Sequence, residues 1–303
     1  MNEILHGIIP PLVTPLKDRN TLDEVGLERV IERVLGGGVQ GVFVLGSTGE
    51  ASSLSYELRR QVINLSCEIV QDRVPVLVGI ADTSLEETLA LARYASKCGA
   101  YAGVLTTPYY VHAAQDELIA YIEELLSELP LPILLYNMPK LTKLSWEIET
   151  VERLMQHQQI IGFKDSSGDM SYTHRLLYAA RARPDWSIFV GPESLMAEAV
   201  LMGAHGGVNG GAHIAPELLV SLYNAATQHD VKRIHVLQGQ LLQLGEVLYG
   251  NAGYSGAIFR NLKCALAVLG VCSDFMAPPL RSPTEHERNQ MRVALEKLEF
   301  VKV

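Results

Sequence analysis

Short apolar runs, each bounded by glycine, proline or polar residues, recur along the first two thirds of the chain. The runs do not alternate apolar with polar residues, so each predicts a strand that is buried on both faces, as strands of parallel sheets are. Eight runs have this character: residues 7–13, 41–45, 74–80, 102–105, 132–136, 160–164, 187–190 and 206–208. The pattern therefore predicts an eight-stranded parallel sheet.

Helical patterns separate these runs and continue after them. Thr83 and Glu86 have the spacing of a capping box, and apolar residues recur on one face of the predicted helix until Gly99. After Gly211 the strand signals end, and helical patterns cover residues 216–227, 231–249, 255–269 and 284–299. We expect some of these last helices to form a carboxy-terminal appendage.

The alternation of strands with helices predicts an α/β fold. Eight strand–helix units favour a (β/α)8 TIM barrel with a C-terminal helical extension over an open doubly wound sheet, which usually has fewer strands. We expect the barrel to occupy approximately residues 1–225. Residues 226–303 are expected to form carboxy-terminal helices that are part of the same structural unit, because barrels of this length fold as one domain.

The composition is that of a globular enzyme, with 48% hydrophobic and 19% charged residues, so the chain can bury a core. Its net charge of −9 argues against binding to nucleic acid or to anionic membranes, which requires clustered Lys and Arg. No apolar run approaches the roughly 20 residues of a membrane helix. The amino terminus lacks a secretory pattern, and the four cysteines include no C-x-x-C pair. We therefore expect a soluble cytoplasmic protein.

The carboxyl ends of the predicted strands carry most of the reactive residues. Five strands are followed by such groups: Gly46-Ser47-Thr48-Gly49-Glu50, Thr106-Thr107-Pro108-Tyr109-Tyr110, Tyr136-Asn137, Lys164-Asp165 and Gly191-Pro192-Glu193. In a TIM barrel this end of the sheet holds the active site. We expect the five groups to face one cavity.

Lys164 ends an apolar strand, so its amine is expected to project into the barrel mouth. Burial penalises the ammonium form and raises the fraction of free amine, which attack on a ketone requires. Tyr136 on the adjacent strand offers a phenol for proton transfer. Ser47, Thr48 and the flanking glycines, among them Gly49, offer hydroxyls and backbone N–H groups to a carboxylate. Each feature alone is more often structural, but together they predict a Schiff-base site.

An ordered set of motifs resembles the dihydrodipicolinate synthase and N-acetylneuraminate lyase family of class I, Schiff-base aldolases. The motifs are Gly7-Ile8-Ile9-Pro10-Pro11-Leu12-Val13-Thr14-Pro15, Gly46-Ser47-Thr48-Gly49-Glu50, Thr107-Pro108-Tyr109-Tyr110, Tyr136-Asn137-Met138-Pro139, Gly162-Phe163-Lys164-Asp165 and Gly206-Gly207-Val208-Asn209-Gly210-Gly211. They span nearly the whole chain. No single motif decides the resemblance, but the ordered set is highly specific.

The resemblance implies that Lys164 forms the Schiff base, that Tyr136 relays protons, and that Ser47 and Thr48 bind the carboxylate of pyruvate. Ser47 stands where typical dihydrodipicolinate synthases have threonine, and it retains the hydroxyl. The resemblance also implies that Tyr110 reaches into the site of a neighbouring subunit, in a homotetramer built from tight dimers. The expected partners are therefore pyruvate, an aldehyde and further copies of this chain.

The segment after Tyr136 departs from the synthase pattern. Synthases usually continue Tyr-Asn-Val-Pro with Gly-Arg, whose guanidinium clamps the carboxylate of aspartate semialdehyde. This chain has Met138-Pro139-Lys140-Leu141-Thr142 instead, and a lysine lacks the bidentate fork of arginine. The segment is similar to sialate lyases and 2-keto-3-deoxy-sugar-acid aldolases, in which polar groups after strands seven and eight engage substrate hydroxyls.

Glu193, Ser194 and Asn209 are the candidates for such contacts with the substrate. The alternative is that they are ordinary polar residues near a helix start. We expect a lyase that condenses pyruvate with, or releases it from, a small aldehyde of the sugar-acid or sialate type. A 4-hydroxy-tetrahydrodipicolinate synthase and a Schiff-base dehydratase of the same family are the alternatives.

Three interpretations from other classes are weaker. A metal-dependent aldolase would use His or carboxylate ligands, but His205 and His213 do not have the spacing of a metal site. Residues 36–38 form a glycine triplet that follows a helix and precedes a strand, the reverse of a phosphate-binding loop. We expect no metal and no cofactor. A noncatalytic barrel is disfavoured because a nucleophile, a proton relay and a carboxylate cradle are all present.

Overall fold

The computed structural model describes residues 4–250, 253 and 255–301 of the chain. Within them, ten strands are formed: β1 (Gly7–Ile8), β2 (Leu16–Asp18), β3 (Thr21–Leu22), β4 (Val42–Val44), β5 (Val76–Gly79), β6 (Ala102–Thr106), β7 (Ile133–Asn137), β8 (Ile160–Asp165), β9 (Ser187–Val190) and β10 (Gly206–Gly207).

Twelve α-helices lie within the same described residues. They are α1 (Glu24–Gly36), α2 (Tyr56–Val70), α3 (Leu85–Lys97), α4 (Gln115–Leu126), α5 (Pro139–Thr142), α6 (Ile148–Leu154), α7 (Met170–Ala179), α8 (Met196–Leu201), α9 (Pro216–Thr227), α10 (Val231–Tyr249), α11 (Ser255–Val268) and α12 (Glu285–Glu296). None of the helices within these ranges combines the length and the apolarity needed to cross a bilayer.

Eight strands form one parallel sheet in the order β1-β10-β9-β8-β7-β6-β5-β4, as the apolar runs predicted. Helices connect successive strands of this sheet, and α10 to α12 follow after it. The prediction of eight parallel strands with helices, extended by carboxy-terminal helices, is confirmed. The short antiparallel pair β2 and β3 was not predicted.

The sheet is curled, and its two faces are both buried. Alternate residues of its strands, such as Phe43, Leu134 and Phe189, form one cluster on the inner face. Their neighbours, such as Val44 and Leu135, pack against the helices on the outer face. This two-sided burial explains why the strands read as continuous apolar runs rather than as alternating ones.

The first strand is shorter than its apolar run, because Pro10 and Pro11 have no amide hydrogen with which to continue a ladder. The chain nevertheless stays beside β4 at the other edge of the sheet. Pro11 forms a parallel bridge with Phe43, the amide of Phe43 donates to Pro10 O at 3.0 Å, and the amide of Leu12 donates to Phe43 O at 2.7 Å.

The capping box was predicted with Thr83 as the N-cap residue, and this prediction is wrong by one residue. Ser84 is the N-cap of α3, and its side chain accepts from the amide of Glu87. The carboxylate of Asp82 accepts from the amide of Ser84, which fixes the turn just before the helix. The helix still ends before Gly99, whose φ of +87° lies in the region that glycine tolerates.

Candidate active site

The register of β7 and β8 brings the two central candidates together. Tyr136 is paired with Lys164, and Asn137 with Asp165, at the carboxyl ends of the two parallel strands. Paired residues on neighbouring strands point to the same face, so Tyr136 and Lys164 both face the inside of the curled sheet. Asp165 faces the other way, and its carboxylate accepts from Thr173 and Ser167.

Lys164 is almost fully buried, with 5% of its surface exposed. Its Nζ atom lies 4.0 Å from the ring centroid of Tyr136 and 5.0 Å from that of Phe43. Burial lowers the pKa of Lys164, and the nearby Tyr136 phenol opposes that shift only in part. The residue therefore carries more free amine near neutral pH than an exposed lysine does, as nucleophilic attack requires.

The amine opens onto a cavity of about 420 Å³ at the carboxyl end of the sheet. Ser47, Thr48, Tyr136, Lys164 and Glu193 all line it. A second cavity of about 320 Å³ lies beside it and shares Ser47 and Tyr136 in its wall. The combined space accommodates a small acid at the lysine and a second molecule next to it.

The turn from Gly46 to Glu50 carries the proposed carboxylate cradle. The Ser47 and Thr48 side chains are half-buried in the cavity wall. The amide of Gly49 donates to Gly46 O at 3.0 Å, so this amide serves the turn itself. A Cβ on Gly49 would lie 2.9 Å from the carbonyl oxygen of Leu12, which explains why glycine is needed there.

Glu193 contributes a buried carboxyl group to the cavity, with 7% of the residue exposed. One of its oxygens accepts from the amide of Gly211 at 2.7 Å, and the carboxyl group also lies against the Tyr249 phenol on α10. Burial raises the pKa of Glu193 to about 7, and the Gly211 amide and the Tyr249 phenol act in the opposite direction. The group can therefore exchange a proton near neutral pH.

Two of the candidates lie away from this cluster. Asn209 is fully buried, and its amide donates to the carbonyls of Val190 and Gly191 rather than lining the cavity. Tyr110 is 93% exposed and has a φ of +83°, so it projects from the surface of the single chain. The structure thus brings Lys164, Tyr136, Ser47, Thr48 and Glu193 together, but not Asn209 or Tyr110.

The two histidines beside the last strand have structural contacts. His213 Nε2 accepts from the amide of Val13 at 3.1 Å, and Nδ1 lies 2.7 Å from Gly210 O, which fits the neutral tautomer. Burial lowers the pKa of His213 to about 4. His205 Nδ1 accepts from the amide of Ile188. Across residues 4–250, 253 and 255–301, no three His, Cys, Asp or Glu residues are arranged to hold a metal ion.

The sequence profile of the dihydrodipicolinate synthetase family matches residues 4–298. The chain belongs to this family. It is 32% identical to a 4-hydroxy-tetrahydrodipicolinate synthase of Methanopyrus kandleri, over 97% of this chain and 96% of that protein. It is 31% identical to a probable 2-dehydro-3-deoxy-D-pentonate aldolase of Escherichia coli, over 95% of this chain and 96% of that protein.

Solved structures of the dihydrodipicolinate synthetase family have the same fold. A dihydrodipicolinate synthase from Bacteroides thetaiotaomicron aligns with a TM-score of 0.95 and 48% identity, over 98% of this chain and all of that one. A family member from Escherichia coli in complex with pyruvate aligns with a TM-score of 0.92 and 28% identity, over 98% and 100%. The expectation of a carbon–carbon lyase of the class I aldolase family is confirmed.

The outer wall of the cavity in this protein comes from helices that follow the sheet, which the residues at the strand ends did not indicate. Leu242 and Tyr249 on α10 and Phe259 on α11 line the space above Lys164. The amide nitrogen of the Gln238 side chain donates to the carbonyl of Ser194, which ties α10 to the loop after β9. The helical periodicity predicted these helices but gave no sign of which residues face the cavity.

Lys140 also lines this cavity, at the first turn of α5 after β7. Its side chain is exposed, and its Nζ atom would lie 3.8 Å from a Cβ on Gly168. Thr142 in the same helix is buried, and its hydroxyl donates to the carbonyls of Met138 and Leu144. The segment therefore offers the exposed cation of Lys140 to the cavity.

Proposed function

We propose that this protein binds pyruvate as a Schiff base on Lys164 and makes or breaks a carbon–carbon bond between pyruvate and an aldehyde. The observation that carries the proposal is the buried amine of Lys164, which lies beside the Tyr136 phenol in a cavity that also contains the Ser47 and Thr48 hydroxyls. The similarity to a family member solved with pyruvate supports the same ligand.

The residues then have complementary roles. The free amine of Lys164 attacks the ketone carbon of pyruvate, the resulting carbinolamine loses water, and an iminium forms. Ser47 and Thr48, with the turn that ends in Gly49, hold the carboxylate. The iminium withdraws electrons, so the methyl carbon loses a proton and becomes an enamine, with Tyr136 as the proton carrier.

The enamine carbon attacks the aldehyde carbon, and hydrolysis of the new iminium releases the product and restores Lys164. We propose an aldehyde that carries hydroxyl groups, of the sugar-acid or sialate type. The buried carboxyl of Glu193 supports this choice, because it belongs to the cavity wall, where a hydroxyl group of the aldehyde can hydrogen-bond to it. The similarity to a probable sugar-acid aldolase points the same way. Asn209 would act on the aldehyde only through the backbone that it holds.

A second candidate function is 4-hydroxy-tetrahydrodipicolinate synthase, in which the aldehyde carries a carboxylate. Lys140 in the cavity wall is the observation that favours it, since a lysine can pair with such a group. The relatives that carry the synthase name also favour it. A dehydratase that uses the same lysine fits the same first steps.

We further propose that the bridge between Pro11 and Phe43 closes the eight strands into a TIM barrel. Residues 1–225 and 226–303 would then form one unit, since α10 and α11 complete the cavity. The exposed Tyr110 supports an assembly of chains, proposed as a homotetramer, in which this side chain reaches a neighbouring site. The four cysteines are free, which suits a cytoplasmic location.

Borohydride trapping tests the central proposal. Incubation with pyruvate and borohydride should add a reduced pyruvyl group to the peptide that contains Lys164. Lys164→Ala should abolish the label, and Lys140→Ala should retain it. A folded wild-type protein that stays unlabelled would overturn the proposal. Turnover of pyruvate with hydroxylated aldehydes and with aspartate semialdehyde then separates the two candidate functions.

A further inference from the structure

Glu50, the last residue of the turn at the end of β4, forms a fully buried ion pair with Lys263 on α11. The Lys263 Nζ atom lies 2.5 Å from Glu50 Oε1, and neither side chain is more than 1% exposed. The second carboxylate oxygen of Glu50 accepts from the amide of Ala277 at 2.8 Å. Lys263 also donates to the carbonyl of Phe275 at 2.8 Å. The end of the turn is therefore anchored in the carboxy-terminal segment.

A buried ion pair is a weak source of stability. Both ions lose their hydration, and replacing such a pair with apolar residues of similar volume is often neutral or stabilising. Burial lowers the pKa of Lys263, and the carboxylate of Glu50 opposes that shift. Stability alone therefore does not explain the pair. The position of Glu50 at the end of the turn suggests another role.

The backbone of the turn is strained at both ends. Leu45 and Glu50 each have a φ of +57°, in the left-handed region that residues with a Cβ rarely adopt. Such a conformation persists only where the surroundings hold it. At Glu50 the strained residue is the one whose carboxylate is fixed by Lys263 and by the Ala277 amide.

The strained ends enclose Ser47 and Thr48, whose positions depend on the turn. The same helix that supplies Lys263 also supplies Phe259 and Leu262 to the wall of the cavity that contains Lys164. We propose that Glu50 and Lys263 are a positioning pair, which fixes the Ser47 and Thr48 hydroxyls at the distance from Lys164 that a bound 2-oxo acid requires. The carboxy-terminal helices are thus part of the carboxylate site.

That the bound acid is a 2-oxo acid rests on the proposed function. That Glu50 and Lys263 fix the turn does not. Neither member of the pair lines the cavity, so each acts through the turn and through α11. Loss of the pair should therefore weaken the binding of pyruvate more than it slows the chemistry at Lys164.

The double variant Glu50→Gln/Lys263→Met tests this. It removes both charges together, so no unpaired charge is left in the interior, and glutamine can still accept from Ala277. We expect the KM for pyruvate to rise about tenfold, with kcat little changed and with full borohydride labelling at saturating pyruvate. The matched control is Asp274→Asn/Arg288→Met, which removes another ion pair of the carboxy-terminal segment and should leave the KM unchanged.

Hydrogen exchange supplies a readout that does not depend on pyruvate. The amides of residues 46–53 should exchange about tenfold faster in the double variant, while amides of the central strands are protected as in the wild type. If the wild type is not labelled by pyruvate, the proposed function fails and the exchange result still decides the role of the pair. The inference would be overturned if the turn of the double variant exchanged at the wild-type rate and, provided that pyruvate binds, the variant also had the wild-type KM for pyruvate. Should this double variant not fold, Glu50→Gln/Lys263→Gln, which also removes both charges and keeps a hydrogen-bond donor at position 263, is measured in the same way.

Discussion

The Nζ atom of Lys164 lies over the ring of Tyr136, 4.0 Å from its centroid, because the two residues occupy paired positions on β7 and β8. The ring shields the amine from water, and Tyr136 lines the same cavity as the amine on which we propose that the Schiff base forms. One side chain therefore contributes to desolvation of the amine and is also the proposed proton carrier. These two contributions can be separated by mutation.

Tyr136→Phe keeps the ring and removes the hydroxyl. We expect kcat to fall about 100-fold or more, since general acid–base catalysis typically contributes that much. Borohydride labelling of Lys164 should still reach completion at long times, because the amine remains desolvated. Steady-state kinetics and a labelling time course measure the two effects. A kcat within twofold of the wild type would mean that another group carries the proton.

The lowered pKa of Lys164 predicts a specific pH dependence of labelling. The free amine fraction rises as the pH rises through the pKa of the folded protein, and burial moves that pKa downward. The labelling rate of Lys164 with pyruvate should therefore level off at a lower pH than the labelling rate of Nα-acetyl-lysine, whose ε-amine is fully exposed to water. Rapid-quench labelling across a pH series checks this. Coincident curves for the protein and the free amine would contradict a desolvated nucleophile.

The central pair was predictable from sequence, whereas the outer wall of the cavity was not. Parallel strands of similar length end at one edge of the sheet, so Lys164 and Tyr136 had to meet once the strands were recognised. Tyr249 and Phe259 in this wall come from helices, and which face of a helix meets a cavity depends on packing that periodicity alone does not fix. Asn209 lies beyond β10, but its amide turns inward to the backbone carbonyls around Gly191.

The raised pKa of Glu193 predicts a loss of stability with rising pH. In the unfolded chain this carboxyl ionises around pH 4.5, and in the folded protein burial raises its pKa to about 7. Its contribution to the free energy of unfolding is complete below the pKa of the unfolded chain. This contribution, on the order of 3 kcal/mol, is lost as the pH rises through the pKa of the folded protein. Glu193→Gln should remove this slope between pH 4.5 and 7. Urea unfolding of both proteins measures it, and parallel stability curves would contradict it.

Gly211→Ala displaces the Glu193 carboxyl without altering Lys164. A Cβ at this glycine would lie 2.7 Å from Glu193 Oε1 and 2.9 Å from Oε2, so the carboxyl must move. We expect pyruvate labelling to be unchanged and kcat/KM for the aldehyde to fall about tenfold. The control is Gly239→Ala on α10, where the added Cβ meets open space and both measurements should match the wild type. A Gly211→Ala enzyme with wild-type aldehyde kinetics would remove Glu193 from the proposed second-substrate site.

Tyr110 tests whether the site is completed by a second chain. Its side chain is 93% exposed, and its φ of +83° holds an aromatic residue in a conformation that is costly unless neighbouring contacts compensate for it. If the phenol relays protons in a neighbouring subunit, Tyr110→Phe should lower kcat about tenfold or more and leave the sedimentation of the protein unchanged.

Tyr178→Phe is the matched control for Tyr110→Phe, since Tyr178 is also an exposed tyrosine, at 71%, and should keep wild-type turnover. Analytical ultracentrifugation of the active wild-type protein gives the second measurement. The proposed relay requires an active species larger than the monomer, because an isolated chain leaves Tyr110 in solvent. An active monomer, or an unchanged kcat in Tyr110→Phe, would show that each chain completes its own site.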